Sequence, residues 1–428
     1  MSLVIRNAFI VTQDSERSLM RGDILVEGDR IAAVGDVRGG ADIEIDAEGD
    51  VVLPGLINAH THVSMSVMKG VADDLAFPDF LDRVFAIDGR RRPEDIAAGT
   101  KLGLMEMIAG GTTTFVDLYY SLDIIAREVE RAGTRGVLCW AVLDEEFTTQ
   151  DGVPIENCRR FHDDFKGSDL VYPGVGPQGV YVCSDETLMR ASELAMEERI
   201  PLTFHLSETR GEVYQYSEKV GRRPVEHLHD IGFLNQRCIA AHSAWLTLRE
   251  VRLMAENGAS VATCPVSNMK LATGGVAPVP EMQAAGVNVS LGTDGSSTNN
   301  SLDMFGEMKF LALLQKSNRW DATVLRAQEV LDTATVNGAR ALGMGSELGS
   351  IEVGKKADII VLDGGAPNLN PLTMENIVGN LVYSASCLNV KTTICNGHLL
   401  YLDGEFQTMD VERVLKDARE ASEYLLNP

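Results

Sequence analysis

His60 and His62 stand one residue apart at the end of a short apolar run, in Pro54-Gly55-Leu56-Ile57-Asn58-Ala59-His60-Thr61-His62. Residues i and i+2 of a β-strand point to the same side, so both imidazoles can aim at one point beyond the strand's end. Imidazole nitrogen suits zinc, iron and similar divalent metals. A lone H-x-H is a weak signal, because two polar residues in a turn would look the same. The rest of the histidine set gives it weight. His205 closes the run Pro201–His205, His242 follows Gln236–Ala241, and Asp294 follows Val287–Leu291 in an Asp-Gly turn. Three histidines and one carboxylate could close around a divalent metal and leave a position for water. Glu208, three residues past His205 in His-Leu-Ser-Glu, can reach the same cavity without joining the metal. That makes it a candidate for moving protons between water and substrate. Taken singly, Glu208 reads as a loop residue and Asp294 as a plain turn. Their shared address at strand ends favours a metal-dependent hydrolase. His162, His227, His229 and His398 fall in expected loops, helices or the chain-end strands and read as solvated or structural.

The elements that must position these groups alternate. From about Leu56 to Leu342, strand-like runs (Thr112–Leu118, Gly136–Leu143, Gly174–Gly176, Pro201–His205, Gln236–Ala241, Ser260–Cys264, Val287–Leu291) are interleaved with helical ones such as Pro93–Ile108, Leu122–Ala132, Leu188–Glu198 and Leu248–Asn257. Repeated βα units imply a parallel sheet with right-handed crossovers. About 290 residues carrying this many units favour a (β/α)8 TIM-like barrel, in which all C-terminal strand ends face one site. Gly-rich phosphate loops are missing, which counts against a dinucleotide fold. Before the barrel, Leu3–Val11, Ile24–Glu27, Arg30–Val34 and Ile43–Asp46 read as strands, with a hairpin turn at Gly28-Asp29. After it come Ala357–Leu362, Val390–Cys395 and His398–Leu402, with a turn at Asn396-Gly397. The simplest organisation is an α/β chain with three parts. Residues 1–55 and 345–405 form one small composite β-sandwich domain from both chain ends. Residues 56–344 form the metal-dependent barrel, and 406–428 form a C-terminal helix capped by Asp410, with Val411, Val414 and Leu415 on its apolar side.

Composition narrows the class. With 428 residues, 45% hydrophobic and 23% charged, the chain is globular and long enough for two domains. A net charge of −24 argues against nucleic acid or an anionic membrane as partner. Lysine fills only 11 of the 38 basic positions, and an acidic, lysine-poor surface suits a high-salt cytoplasm. No secretory signal and no membrane-length apolar run is visible, and seven scattered cysteines without a C-x-x-C pair point to a reducing compartment, so the expected location is cytoplasmic. The H-x-E and Pro-Cys-x-x-Cys pattern of the cytidine-deaminase class is missing as well.

At these residues the chain resembles the amidohydrolase superfamily, in its methylthioadenosine/S-adenosylhomocysteine deaminase and triazine chlorohydrolase branch. The ordered motifs are Pro-Gly-Leu-Ile-Asn-Ala-His-Thr-His (54–62), Gly-Val-Ala-Asp-Asp-Leu (70–75), Gly-Gly-Thr-Thr-Thr (110–114), His-Leu-Ser-Glu (205–208), Ala-Ala-His (240–242), Pro-Val-Ser-Asn-Met-Lys-Leu-Ala (265–272) and Leu-Gly-Thr-Asp-Gly (291–295). The resemblance implies one divalent metal ion held by His60, His62, His205 and Asp294, zinc first and iron second. It implies Glu208 as acid/base, His242 as hydrogen-bond partner of the attacking water or the leaving group, and Asp294 as proton acceptor. The reaction expected is hydrolytic deamination of a small aminated heterocycle, most simply an adenosine-type nucleoside. A hydrolase of a free base, pterin or triazine, including chloride displacement, is the second reading. A non-enzymatic relative is the third and weakest, since every ligand and Glu208 are present. Homo-oligomerisation is left open.

Substrate contacts are where the chain departs from its relatives. Adenosine-type deaminases of the branch carry a histidine in a Gly-Pro-His turn; here the turn is Gly176-Pro177-Gln178. A Trp-Pro-x-Glu segment becomes Phe85-Ala86-Ile87-Asp88, and an arginine used for a carboxylate aligns with Trp140. Gln178, Trp140 and Glu208 are therefore the expected substrate contacts, with Trp140 offering a flat apolar face. On this reading S-adenosylhomocysteine is a poor substrate and a compact nucleoside or free ring a better one.

Overall fold

Val51–Pro54 and Leu56–Thr61 are separated by one residue yet belong to different sheets. The break falls at Gly55, whose N–H is accepted by Asp358 while the next N–H, of Leu56, is accepted by Gly111. The computed structural model describes residues 2–426; Met1, and positions 427–428 of the expected terminal helix, lie outside the described residues.

Before Gly55 run β1 (Ser2–Val11), β2 (Leu19–Glu27), β3 (Arg30–Gly35), β4 (Ile43–Asp46) and β5 (Val51–Pro54). After it come β6 (Leu56–Thr61), β7 (Thr112–Tyr119), β8 (Arg135–Val142), β9 (Val171–Pro177), β10 (Leu202–Leu206), β11 (Cys238–His242), β12 (Ser260–Thr263) and β13 (Val289–Leu291). The last strands are β14 (Ile359–Leu362), β15 (Val390–Cys395), β16 (His398–Leu402) and β17 (Glu405–Phe406). Among the described residues, β1–β5 and β14–β17 make one nine-stranded mixed sheet in the order β17-β16-β15-β14-β5-β1-β2-β3, with β4 paired to β1. Its far edge turns back on itself: the Ile31 N–H of β3 donates to the Lys355 carbonyl just ahead of β14. Leu3, Ile5, Ile24, Ile31, Ile359, Val361 and Ile394 fill the space enclosed.

β6–β13 are parallel neighbours in chain order. Nearly every residue of these strands is buried, as expected when one face meets a filled barrel interior and the other a layer of helices. Ile57, Val116, Val137, Cys139, Ile239 and Ala262 plug the interior. The barrel closes between β13 and β6. There the Asp294 N–H donates to the His60 carbonyl at 2.9 Å, and a Cβ at Gly292 would stand 2.8 Å from the His60 nitrogen. Only glycine permits that approach, and it brings Asp294 beside the histidine pair.

The barrel is pinned to the small sheet by a buried ion pair. Arg135, at the start of β8, is wholly buried and binds Asp358, which also accepts the Asn396 N–H at 2.9 Å. The terminal helix, Val411–Leu426, has its first turn capped by Asp410. Its buried side is Val414, Ala418, Ala421 and Leu425, whereas Val411 and Leu415 are exposed. The apolar stripe therefore differs from the one expected. Alanines, weak signals on a polar helix, supply half of it. Helices at Phe77–Asp88 and Pro154–Phe165, each opening with proline in its first turn, were not expected from periodicity. Among the described residues no helix is long and apolar enough to cross a membrane.

Candidate metal centre

The structure brings His60, His62, His205, His242, Asp294 and Glu208 together at the C-terminal end of the barrel. The four imidazole rings lie 5.0–5.4 Å apart, centre to centre, in five of their pairings. Asp294 Oδ1 is 3.6 Å from His60 Nε2 and 3.3 Å from His62 Nε2. Three overlapping triads of donor atoms lie within 4.8 Å: His60, His205 and His242; His60, His62 and Asp294; Glu208, His242 and Asp294.

The outer hydrogen bonds decide which nitrogen faces inward. His62 Nδ1 lies 2.7 Å from the Leu118 carbonyl, and His205 Nδ1 lies 2.8 Å from the Gln178 carbonyl. A carbonyl only accepts, so both Nδ1 atoms carry hydrogen and both Nε2 atoms present lone pairs when the rings are neutral. Those two Nε2 atoms are 3.3 Å apart. Two lone pairs facing each other in a buried site repel unless a proton or a metal cation lies between them. Burial opposes a positive charge there, but the Asp294 hydrogen bond and the Asp294 and Asp117 charges outweigh it and raise the His62 pKa, so the position favours a cation. His60 makes the same point: it is fully buried, and neither ring nitrogen has a hydrogen-bond partner among the described residues. Three such nitrogens beside a carboxylate oxygen fit one divalent ion.

His242 is oriented differently. The Asn268 side-chain amide nitrogen, which has only hydrogen to give, lies 3.3 Å from its Nδ1. Nε2 then carries the proton and is a donor, standing 3.8 Å from Glu208 Oε2. Electrostatics match this division of labour. Burial, helped by the His62 and His242 charges, pushes His205 down to about 3, and burial also takes His60 well below its ordinary value. Burial alone would raise Asp294, but the His62 hydrogen bond and the charges of the surrounding imidazoles outweigh it and hold the carboxyl well below the usual carboxylate range. Glu208 goes the other way: burial, reinforced by the Asp294 charge, pushes it up to about 8. The site thus pairs an ionised carboxylate with a protonated one, as acid/base chemistry near neutral pH requires.

Several positioning residues lie inside the motifs, although the sequence alone assigns them no role. Asn58 locks β6 to the loop after β13, giving a hydrogen bond to Thr293 Oγ1 at 2.7 Å and taking the Thr293 N–H at 3.0 Å. Ser267 donates to Asp294 Oδ2 at 2.6 Å, fixing the carboxylate plane. Asp117 accepts the Val63 N–H at 2.6 Å, and burial, opposed by that bond and by the His62 and Arg91 charges, raises its carboxyl to about 7. The motif stretches 54–62, 265–272 and 291–295 supply most of these contacts.

Of the expected substrate contacts, Gln178 reaches the site by its backbone, through His205, and its side chain is partly exposed. Trp140 is a correction. It is 4% exposed, packs against Phe161 on the outer helix layer, and gives its indole N–H to Gln150 at 2.7 Å. Val137 and Cys139 of the same strand point into the barrel, so Trp140 points out, away from the histidines. Asp88 is also committed. Its carboxylate takes hydrogen bonds from Tyr119 and Tyr120 and pairs with buried Arg91 at 2.9 Å.

Comparison with known proteins follows the same lines. A model of the amidohydrolase family matches residues 51–400. A 5'-deoxyadenosine deaminase of Methanothermobacter thermautotrophicus is 42% identical over 94% of this chain and 95% of its own. A 5-methylthioadenosine/S-adenosylhomocysteine deaminase of Moorella thermoacetica is 42% identical over 92% of this chain and 93% of its own. Among solved structures, a zinc-bound adenosine deaminase from Xanthomonas campestris superposes with a TM-score of 0.95 at 33% identity, covering 100% of this chain and 99% of the other. An atrazine chlorohydrolase from Arthrobacter aurescens shares the fold, with a TM-score of 0.90 at 23% identity over 98% of this chain and 100% of the other.

Proposed function

The chain belongs to the amidohydrolase family, and from that premise we propose that it is a metal-dependent aminohydrolase which deaminates an adenosine-type nucleoside. The observation that carries the metal half is the pair of inward Nε2 atoms of His62 and His205, 3.3 Å apart with both Nδ1 hydrogens already committed. The substrate half is supported by relatives named as deaminases of 5'-deoxyadenosine and 5-methylthioadenosine over nearly the full chain.

His60, His62, His205 and Asp294 would hold one divalent ion, zinc ahead of iron. Such an ion, when bound, supplies Lewis-acid activation, lowering the pKa of water from about 15.7 toward ~7. The protein's own groups do the rest. Protonated Glu208 gives its proton to the ring nitrogen beside the amino-bearing carbon, which draws electrons from that carbon. Asp294 takes one proton from the attacking water as its oxygen bonds to the carbon. His242, with Nε2–H pointing inward, donates to that oxygen and holds the developing charge. The carbon–nitrogen bond then breaks and the amine leaves as ammonia with the proton held on Asp294. The remaining hydroxyl proton returns to Glu208 as the carbonyl forms. Gln178, with donor and acceptor on one amide, is the candidate contact for the sugar.

One observation favours a second reading. Asp88, the carboxylate in register for gripping sugar hydroxyls, is already bound by two tyrosines and an arginine. A free aminated ring is therefore the alternative substrate, and S-adenosylhomocysteine, which needs a further carboxylate clamp, is the poorest candidate. The seven cysteines are free thiols, which fits a cytoplasmic enzyme. Ammonia release tests the reading on 5'-deoxyadenosine, methylthioadenosine, adenosine, S-adenosylhomocysteine, adenine and a pterin, and chloride release tests it on a chlorotriazine. The highest kcat/KM is expected for a compact nucleoside. Turnover confined to the pterin or triazine, or highest on S-adenosylhomocysteine, would overturn it.

A further inference from the structure

The side chain of Glu208 takes no hydrogen bond among the described residues; its carboxyl stands 3.8 Å from His242 and otherwise rests on the placement of its backbone. That backbone belongs to the three-residue bend Ser207–Thr209 between β10 and the helix Arg210–Val220. Ser207 sits in the left-handed region, with φ +47°, where a residue with a side chain is held only by its surroundings. The first two N–H groups of the bend turn the same way, and one carboxylate takes both. Glu212 Oε1 accepts the Ser207 N–H at 2.9 Å and Oε2 accepts the Glu208 N–H at 2.8 Å. Glu212 is itself anchored, since its own N–H donates to the helix cap, Thr209 Oγ1, at 3.0 Å.

We propose that Glu212 is a positioning residue which sets where the Glu208 carboxyl meets the substrate, an inference that rests on the acid/base role given to Glu208 above. A carboxylate is matched to this task because both oxygens accept. Glutamine would turn an amide NH2 toward one of the two N–H groups, donor against donor, and the bend would shift. Aspartate is one methylene short of spanning both. Misplacement by about 1 Å costs on the order of 10²-fold in rate when the group acts in the transition state. Substrate binding and the metal ligands, which lie on other contacts, would change little.

The test is a double-mutant cycle on full-length, metal-loaded enzyme, with kcat, KM, metal content and thermal midpoint read for E208Q, E212Q and the pair. E212Q is expected to lower kcat by about 10- to 100-fold, with KM and metal content near wild type. Added to E208Q it should have no further effect, because it acts through that carboxyl. E212D, which keeps the carboxyl group, gives the same test with a milder change and serves if E212Q folds poorly. A kcat for E212Q and E212D close to wild type would overturn the inference. So would the same proportional loss in the E208Q background, which marks a general structural effect. Failure of the acid/base reading itself is separate: it shows as wild-type turnover in E208Q alone.

Discussion

Replacing Glu208 by glutamine isolates the proton-transfer role. The change is nearly isosteric, and the carboxyl has no hydrogen bond to lose among the described residues, so fold and metal ligands are left in place. What is removed is the one acidic proton the side chain can transfer. Burial, then the Asp294 charge, pushes the carboxyl up to about 8, so at pH 7 it is protonated and ready to donate. General acid/base steps contribute about 10²- to 10⁴-fold, and each factor of ten is about 1.4 kcal/mol of barrier, so a loss of about 3–5 kcal/mol is expected. The sign of the pH effect follows: activity is present where Glu208 holds its proton and falls as pH rises through its pKa. A cation at the neighbouring ligands draws that pKa down, placing the alkaline limb at or below pH 8. The assay is ammonia release from 5'-deoxyadenosine across pH, with metal content measured on the same preparation. Turnover falling by about 10²-fold or more, with metal at one per chain, is the expected result. Near-wild-type turnover in metal-replete E208Q would refute the role.

Other outcomes follow from single contacts. D358A leaves the Arg135 guanidinium buried without its counter-charge and should destabilise the fold by about 3–5 kcal/mol in denaturant titration, whereas a change near zero would contradict the pinning role. W140F should leave kcat and KM for the nucleoside close to wild type, because the indole faces the outer helices; a marked rise in KM alone would place the ring in the substrate path after all. H60A should drop bound metal below stoichiometry by elemental analysis while the protein stays folded, and full metal content in that variant would exclude His60 as a ligand.

Much of this architecture is written locally. An apolar run that ends in a histidine or aspartate encodes both a buried parallel strand and a polar group at its C-terminal end. The convergence of His60, His62, His205, His242, Asp294 and Glu208 was legible for that reason. The residues that hold them were not, because their partners are remote in sequence. Asn58 clasps Thr293, 235 positions away, and Ser267 and Asn268 act on Asp294 and His242 through geometry that only the closed barrel creates. Trp140 failed on parity: whether a residue near a strand end faces in or out depends on register, which one sequence does not reveal. The terminal helix itself was legible, and only its buried side differs, because Ala418 and Ala421 are buried on a helix that docks against Pro93–Ala109.

The central claim is that one ion in the histidine–aspartate cluster drives deamination of a nucleoside. It is tested most directly by stripping the purified protein with a chelator and titrating zinc back while following ammonia release from 5'-deoxyadenosine. Activity should vanish on stripping and return linearly, reaching its plateau at one equivalent per chain. Undiminished release from metal-free protein, a plateau at two equivalents, or no ammonia from the zinc-replete enzyme would contradict the account.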